Sequence, residues 1–318
     1  MDLVKKNWKK SVLTAGIPLI VLVLLALLPA YGSPYNVTLF TYFLMYIILT
    51  ISWTIFSGTT GYISLATAAF YGVGIYAAAF YGEKYPLIVV VFIGGFASFI
   101  LAFVVGAITL RLRGIYFAMF TFGLVLFFKE VVYYWEIVIE NTRGKFVVLQ
   151  SNEAVYYYLL GIFVVTMIVA YIIRKSKYGL ALQSIGENEE AAAHAGINVT
   201  MVKVLTYAIS AIFMGATGVI MATKLTYVDP GVAFNPMMSF SPVLMAIFGG
   251  FGSIYGPVIG AVIFTYIQEA LTTGSLQKYY MLIFGAILVG TILYLPDGLV
   301  GLIQKVWKRI SGGVRAHN

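Results

Sequence analysis

Continuous apolar runs dominate this sequence of 318 residues, and each is about 17 to 22 residues long, the length of a membrane-spanning helix. A helix rises 1.5 Å per residue, so about 20 residues cross the roughly 30 Å hydrocarbon core of a bilayer. The runs do not alternate between apolar and polar residues, as the strands of a membrane barrel would. Only 10% of the residues are charged, against about 25% in soluble domains. The sequence therefore predicts an all-α, polytopic membrane helix bundle.

The runs divide into about ten predicted transmembrane helices within one membrane domain, residues 1–318. The predicted spans are 11–29, 35–55, 62–81, 86–110, 114–135, 154–173, 202–223, 237–250, 256–271 and 279–295. The eighth span is short, so the count is nine or ten depending on whether that span crosses fully. The first apolar run is longer than the hydrophobic core of a usual signal peptide, which favours a transmembrane helix that is not cleaved off. A final amphipathic segment, about 297–310, predicts a helix in the cytoplasmic interface, with a frayed tail as the alternative.

The placement of basic residues predicts how the bundle is oriented. When the spans are threaded alternately, 14 of the 20 Lys and Arg residues fall on the side that holds both termini. Cytoplasmic loops of membrane proteins carry an excess of Lys and Arg. Both termini are therefore predicted to be cytoplasmic. The formal net charge of +8 is attributed to this bias in a protein whose partner is the lipid bilayer, and not to nucleic-acid binding.

The sequence lacks the residues that several classes of chemistry require. The sequence has no cysteine, which excludes disulfides, zinc–thiolate sites and cysteine nucleophiles. It has no GxxxxGK(S/T) phosphate loop, so ATP-driven work would need the nucleotide site of a partner. The middle of every predicted span lacks charge, which argues against a proton- or sodium-coupled carrier. Gln268 and Glu269 lie near the end of a span, where we favour a structural role. We predict no catalytic residues, no metal site and no cofactor.

The longest predicted cytoplasmic loop, residues 174–201, contains the signals of a short helix. Asn188 suits the N-cap, and Glu189 and Glu190 follow in the first turn, where the helix dipole favours anions. Alanines fill the body, and Gly196 suits the stop after the last turn. An isolated helix of this length is marginal in water, so it needs a surface to pack on. Its small face suits a groove on another protein; the alternative is a loop helix that rests on its own bundle.

Glycine-rich segments interrupt the apolar pattern at 57–61 and 249–253, in corresponding places of the two halves. Broken helices at membrane depth are tolerated where they line cavities, and transporters often use them. For a polar path through the bundle we predict the uncharged hydroxyls of Ser64, Thr67 and Thr121, in spans three and five. The alternative is that these hydroxyls pack against the bundle's own backbone.

Four well-separated motifs carry a family resemblance. They are Gly61-Tyr62-Ile63-Ser64-Leu65 with Ala68-Ala69-Phe70, Leu110-Arg111-Leu112-Arg113-Gly114, the loop from Lys177 to Val199, and Gly249-Gly250-Phe251-Gly252-Ser253 with Gly256-Pro257. Together, over roughly 40–310, they resemble the LivM-type permeases of branched-chain amino-acid ABC importers. The second motif is similar to the segment that distinguishes these permeases from their LivH-type sister permeases.

The resemblance implies an importer in which this permease pairs with a second, LivH-type permease to form the pathway. It implies two cytoplasmic ATPase subunits that bind the loop at 174–201, and an extracytoplasmic binding protein that delivers the substrate. It implies leucine, isoleucine and valine as the substrates. The residues that it predicts to couple to the ATPases are Glu187, Asn188, Glu190, Ala191, Ala192 and Gly196.

The chain departs from the family pattern at two places. Ala66-Thr67 stands where the family often has Gly-His, and 140–145 stands in place of a Thr-Gly-Gly-rich outer loop. The nearest alternative is therefore the same machinery importing urea, amides or other amino acids. More distant alternatives are a secondary carrier, which would transport alone in an ion gradient, and a membrane enzyme, for which the sequence offers no cluster of Asp, Glu or His.

Overall fold

The computed structural model describes residues 20–253, 255–273, 282–283, 285–287, 289–290 and 298–302, and most of this part of the chain is helical. The helices are α1 (Ile20–Tyr31), α2 (Pro34–Thr60), α3 (Thr67–Tyr81), α4 (Leu87–Thr109), α5 (Ile115–Tyr134), α6 (Asn152–Lys175), α7 (Lys177–Glu187), α8 (Glu189–His194), α9 (Val199–Ala222), α10 (Pro230–Ala233), α11 (Met237–Gly249) and α12 (Tyr255–Thr273). A π-helical turn, Trp135–Ile139, continues α5. Two antiparallel strands, β1 (Lys145–Phe146) and β2 (Tyr227–Val228), connect the loops that precede α6 and follow α9.

Helical segments long enough to cross a bilayer confirm the predicted polytopic bundle. Six segments of the described chain have the required length and hydropathy: Pro34–Thr60, Leu87–Thr109, Ile115–Ile139, Asn152–Lys175, Val199–Ala222 and Pro230–Gly249. Most of the predicted span at 279–295, the start of the span at 11–29 and most of the helix at 297–310 lie outside the described residues. The count of ten spans, the sidedness of both termini and the single-domain organisation stay predictions.

The connection between α2 and α3 differs from the sequence prediction. The predicted span at 62–81 begins too early, because residues 61–66 are not helical and α3 starts at Thr67. α2 stops at Gly61, whose φ of 73° lies in the left-handed region that glycine adopts without strain. The first glycine-rich interruption therefore begins at Gly61, and the residues just before it complete α2.

α9 lies at the centre of the bundle and packs along α2, α3 and α4. In its most apolar window 83% of the residues are buried, against 33% in α4 and 28% in α6, which leave apolar faces exposed. Glycines allow the close approach of α3 and α9: a Cβ at Gly74 would collide with the backbone of Gly215, and one at Gly218 with the carbonyl of Tyr71. Lipid provides no hydrophobic drive between helices, so close backbone packing has to hold the bundle together.

The loop after α5 is folded against α3. The carboxylate of Glu136, buried in the π-helical turn, accepts hydrogen bonds from the Tyr76 hydroxyl at 2.8 Å and from the Gly144 backbone N–H at 2.9 Å. The pairing of β1 with β2 then ties the end of this loop to the connection after α9. The predicted outer loop at 140–145 is thus held in place at both ends.

Candidate functional site

α8 begins and ends where the sequence predicts. The Asn188 side-chain oxygen accepts a hydrogen bond from the Ala191 backbone N–H at 3.0 Å, which caps the first turn. Gly196 has a φ of 84°, and its N–H donates to the Ala193 carbonyl while the next N–H donates to the Ala192 carbonyl. This pair of hydrogen bonds is the pattern that glycine permits directly after a helix. The predicted N-cap and glycine stop are therefore confirmed.

α7, which the sequence analysis did not predict, immediately precedes α8. Ser176 caps its first turn, and Leu182 and Ile185 are buried against the bundle. A Cβ at Gly186 would collide with the carbonyl oxygen of Thr59, so α7 lies directly against the end of α2. The capping serine and the three-residue spacing of the two apolar residues were the signals that could have revealed this helix.

A buried lysine holds α8 to the bundle. Lys203, near the start of α9, is 2% exposed. Its ammonium donates to Glu189 Oε1 at 2.7 Å and to the Tyr62 hydroxyl at 3.1 Å, and a third bond of 3.1 Å goes to the Leu110 carbonyl. Tyr62 in turn donates to Glu189 Oε2 at 2.6 Å. These four residues, here called the Lys203 anchor, join α8 and α9 to the segment after α2 and the turn after α4.

The charges of the Lys203 anchor compensate each other. A buried ammonium is costly unless it is paired and hydrogen-bonded, and Lys203 has three acceptors. Burial alone would raise the pKa of Glu189, but the hydrogen bonds from Lys203 and Tyr62 outweigh burial and lower this pKa below its ordinary value. The Arg113 guanidinium, 3.8 Å from the Glu189 carboxylate, acts in the same direction. Glu189 therefore stays ionised at neutral pH, and the anchor stays closed.

The predicted coupling residues divide by exposure. Five of them are exposed: Glu187, Asn188, Glu190, Ala191 and Gly196. The sixth, Ala192, is buried, so it packs against the chain's own bundle. Glu189, which the prediction left out, is the acidic residue that fixes α8 in place. α8 therefore rests on the bundle through Ala192 and Glu189 while its other side faces solvent.

The three predicted pathway hydroxyls meet around the extended segment before α3. The Thr121 hydroxyl accepts a hydrogen bond from the Leu65 backbone N–H at 3.0 Å, and the Ser64 hydroxyl lies 3.2 Å from that of Tyr207. Thr67 is also buried, and its hydroxyl has no hydrogen-bond partner within the described residues. Ser64 and Thr121 thus bond to the bundle's own polar groups, as the packing alternative expects. A role in the pathway stays a prediction for all three.

A cavity of about 430 Å³ lies between α2, α6 and α7. Its wall includes residues of both predicted glycine-rich interruptions, 57–61 and 249–253. The Arg174 side chain at the end of α6 donates a hydrogen bond to the Gly252 carbonyl, which closes one side. The structure therefore brings the two interruptions together beside the helix that leads into α8. Across the described ranges, no three His, Asp or Glu side chains approach closely enough to hold a metal ion.

Comparison with protein families gives a match over most of the chain. The family described as the branched-chain amino acid transport system permease component matches residues 35–292. This range runs from the start of α2 to beyond α12, so it contains α8, the Lys203 anchor and both glycine-rich interruptions. No solved structure gave a significant match.

Individual relatives point to the same family. The chain is 25% identical to the high-affinity branched-chain amino acid transport system permease protein LivM of Salmonella typhimurium, over 89% of this chain and 74% of that protein. It is 24% identical to LivM of Escherichia coli K12, over 92% of this chain and 76% of that protein. The LivH permease of Escherichia coli K12 is 31% identical, over 45% of this chain and 47% of LivH.

Proposed function

Because this chain belongs to the family of branched-chain amino acid transport system permease components, we propose that it is the LivM-type permease of an ABC importer for leucine, isoleucine and valine. The chain is a multi-pass protein of the cell membrane. The observation that carries the proposal is the family match over residues 35–292, together with relatives named LivM that align over about nine-tenths of the chain. The sequence has no GxxxxGK(S/T) phosphate loop, so the proposal requires partners that bind ATP.

The proposed importer contains four kinds of subunit. A second permease of the LivH type forms the other half of the pathway, which agrees with the LivH relatives that match about half of this chain. Two cytoplasmic ATPase subunits supply the energy, because the sequence lacks a phosphate loop. An extracytoplasmic binding protein selects the substrate and delivers it to the outer face.

Coupling is proposed to pass through α8. The exposed residues Glu187, Asn188, Glu190, Ala191 and Gly196 provide a small, capped surface of the kind that fits a groove on an ATPase. When the ATPases close, α8 moves, and the Lys203 anchor carries this movement to Tyr62 at the start of the extended segment before α3. Ser64 lies within that segment, Thr67 follows it directly and Thr121 is hydrogen-bonded to it, so the movement would reach the proposed polar path.

The substrate is the least constrained part of the proposal. The departures at Ala66-Thr67 and at 140–145 favour, as the second candidate, the same machinery importing urea or other amides. The outer loop at 140–145 is folded against α3 rather than loose, so it offers a binding protein a fixed surface. Both candidates share the same partners, and the substrate assay distinguishes them.

The test is uptake by the reconstituted complex. The chain is purified from its native membrane in mild detergent with the subunits that accompany it, and the complex is placed in liposomes with ATP inside and the binding protein outside. ATP-dependent uptake of labelled leucine that excess urea does not inhibit supports the proposal. Uptake of urea in place of leucine supports the second candidate. Uptake by this chain alone in an ion gradient, with no ATPase present, would contradict both.

Charge reversal at Glu190 tests the coupling surface. The Glu190 side chain is 80% exposed and lies 3.9 Å from the exposed Arg113, so Glu190→Arg leaves the core intact. We expect ATP-dependent uptake to fall about tenfold or more. An acidic surface docks on basic groups, so the new arginine would bring like charges together at the interface with the ATPase, at a cost of several kcal/mol. The amount of inserted complex, measured in the membrane fraction, should stay normal.

Glu190→Gln provides the matched control for this variant. It breaks the pair with Arg113, as Glu190→Arg does, but adds no positive charge to the surface offered to an ATPase. We expect Glu190→Gln to lose much less uptake than Glu190→Arg. An equal loss in both variants would show that Glu190 acts through Arg113 alone, and normal uptake in Glu190→Arg itself would remove α8 from the coupling surface.

A further inference from the structure

A second cavity lies at the other end of α9 from the Lys203 anchor. Its volume is about 460 Å³, and it lies between α2, α3, the end of α9 with the turn that follows, α10, α11 and α12. Pockets that hold small molecules measure about 300–1,000 Å³. Lys224 stands in its wall, about 30 Å from Lys203 at 1.5 Å of rise per helical residue. This space, here called the Lys224 cavity, is separate from the coupling surface.

Two unpartnered polar atoms mark the Lys224 cavity. Within the described residues, three buried side-chain nitrogen or oxygen atoms have no hydrogen-bond partner: Thr67 Oγ1, Lys224 Nζ and Gln268 Oε1. The last two both belong to residues that line this cavity. Buried polar groups of native proteins are almost always paired, so an unpaired donor and an unpaired acceptor in one cavity require an explanation.

The neighbouring side chains contact these two groups but leave the hydrogen-bonding capacity of Lys224 Nζ and Gln268 Oε1 unused. The Lys224 ammonium lies 5.1 Å from the centre of the Tyr42 ring, a contact that stabilises positive charge but accepts no hydrogen bond. The Gln268 amide nitrogen lies 3.4 Å from the Tyr46 hydroxyl, which leaves the carbonyl as the unpaired end. Glu269 also lines the cavity.

The rest of the wall combines apolar side chains with the hydroxyl-bearing side chains of Tyr71, Thr265 and Thr272. It contains Met45, Ile75, Met221, Leu225, Val232 and Met238. The flexible thioether side chains of the methionines adapt to the shape of an aliphatic group. The cavity therefore combines a cationic donor, a carbonyl acceptor and a wall with methionine and aliphatic side chains.

We propose that the Lys224 cavity binds an α-amino acid with an aliphatic side chain. Lys224 Nζ donates to the α-carboxylate, Gln268 Oε1 accepts from the α-ammonium, and the side chain lies against the methionines and Ile75. This inference rests on the proposed function and adds the residues that recognise the substrate within the permease. Urea has no carboxylate, so it would leave the Lys224 ammonium unpaired, and the cavity selects against it.

The test is direct binding to the purified permease complex without binding protein or ATP. Labelled leucine is competed with leucinamide, which lacks the carboxylate, and with 4-methylpentanoate, which lacks the ammonium. We expect wild type to bind leucine at least tenfold more tightly than either analogue. Lys224→Met should lower leucine affinity about tenfold and remove the preference over leucinamide. Gln268→Met should instead remove the preference over 4-methylpentanoate.

Control variants separate recognition from folding. Lys84→Met makes the same chemical change at an exposed lysine in the turn between α3 and α4, and it should bind leucine as wild type does. Lys224→Gln, which is smaller and polar, should behave as Lys224→Met does. The analogue preferences are the deciding readout, because a merely structural role for Lys224 would weaken leucine and leucinamide equally.

The outcomes distinguish this inference from the proposed function. If the complex imports leucine with ATP while Lys224→Met keeps the wild-type preference for leucine over leucinamide, the inference is wrong and the proposed function stands. If the complex neither binds nor imports leucine, both are wrong. Loss of the leucinamide discrimination in Lys224→Met, with leucine import by wild type, supports both.

Discussion

Two lysines at opposite ends of α9 solve the burial of a positive charge in different ways. Lys203 is 2% exposed and donates to a carboxylate, a hydroxyl and a backbone carbonyl. The Lys224 ammonium is also buried, but it has no hydrogen-bond partner within the described residues. Since removing a charge from water is costly unless it is paired, the first lysine is part of the fold. The second remains available to a ligand.

The difference lies in what surrounds each end of the helix. Near Lys203, α8, the turn after α4 and the segment after α2 each contribute one acceptor to a closed site. Near Lys224, six helices and the turn after α9 enclose a cavity of about 460 Å³ that Lys224 lines. One end of α9 thus fixes helices to each other, and the other end encloses space. Substitutions at the two lysines should therefore affect different properties.

Lys203→Met should give the largest loss of stability. It leaves Glu189 without its main cation and the Leu110 carbonyl without a donor, and removing one partner of a buried ion pair costs about 3 kcal/mol or more. We expect a clear fall in the melting temperature of the purified complex and loss of import. The double variant Lys203→Met with Glu189→Gln should recover part of the stability, because no unpaired carboxylate remains. A single variant as stable as wild type would refute the structural role of the anchor.

The effect of pH on the stability that the Lys203 anchor provides should be smaller than the effect of Lys203→Met, and its sign is defined. The pKa of Glu189 in the folded protein lies below its ordinary value of 4.5, so its stabilisation is fully present above pH 4.5 and is lost as the pH falls through the folded pKa. Since the glutamine carbonyl oxygen can still accept a hydrogen bond from Lys203, we expect Glu189→Gln at pH 7 to be only about 2 kcal/mol less stable than wild type, within the roughly 1.5–3 kcal/mol that hydrogen bonds to charged groups contribute. Melting temperatures measured from pH 7 downward should converge below pH 4.5. A constant difference would contradict the assignment.

Lys224→Met should not lower the free energy of unfolding. The variant loses the contact with the Tyr42 ring, worth about 0.5–1 kcal/mol, but it also removes the cost of burying an unpaired ammonium. A melting temperature measured beside that of Lys203→Met tests the contrast directly. A fall as large as that of Lys203→Met would show that Lys224 is held by groups that stabilise the fold.

Local signals allowed the sequence to predict the ends of α8. A cap such as Asn188 and a stop such as Gly196 act on neighbouring backbone groups, so their effect is visible in a few consecutive residues. The helix bundle was predictable for a similar reason, because the length of an apolar run decides whether it spans. The beginning of α3 was not predictable. Residues 61–66 continue the apolar pattern of the predicted span, but their backbone N–H groups donate to side chains of other helices instead of forming a helix.

The partners of the two lysines could not be predicted from the sequence. Tyr62 and Lys203 are 141 positions apart, and their contact depends on how three helices pack. Glu189 and Glu190 look alike in sequence, and only the position of Lys203 decides which one faces inward. Gln268 was interpreted as a structural residue near a span end, because burial and the absence of a partner become visible only in the folded chain.

The central position of α9 limits how the chain can diverge. A lipid-facing side chain of α5, where 17% of the most apolar window is buried, can be exchanged for any apolar residue of similar size. A side chain of α9 meets other helices on nearly every side, and at Gly215 or Gly218 even one added carbon collides with backbone or side-chain atoms. Substitutions are therefore tolerated at the lipid-facing surface of the bundle and excluded at its centre. Homologues that import different substrates should vary in the cavity at the end of α9 sooner than along its length.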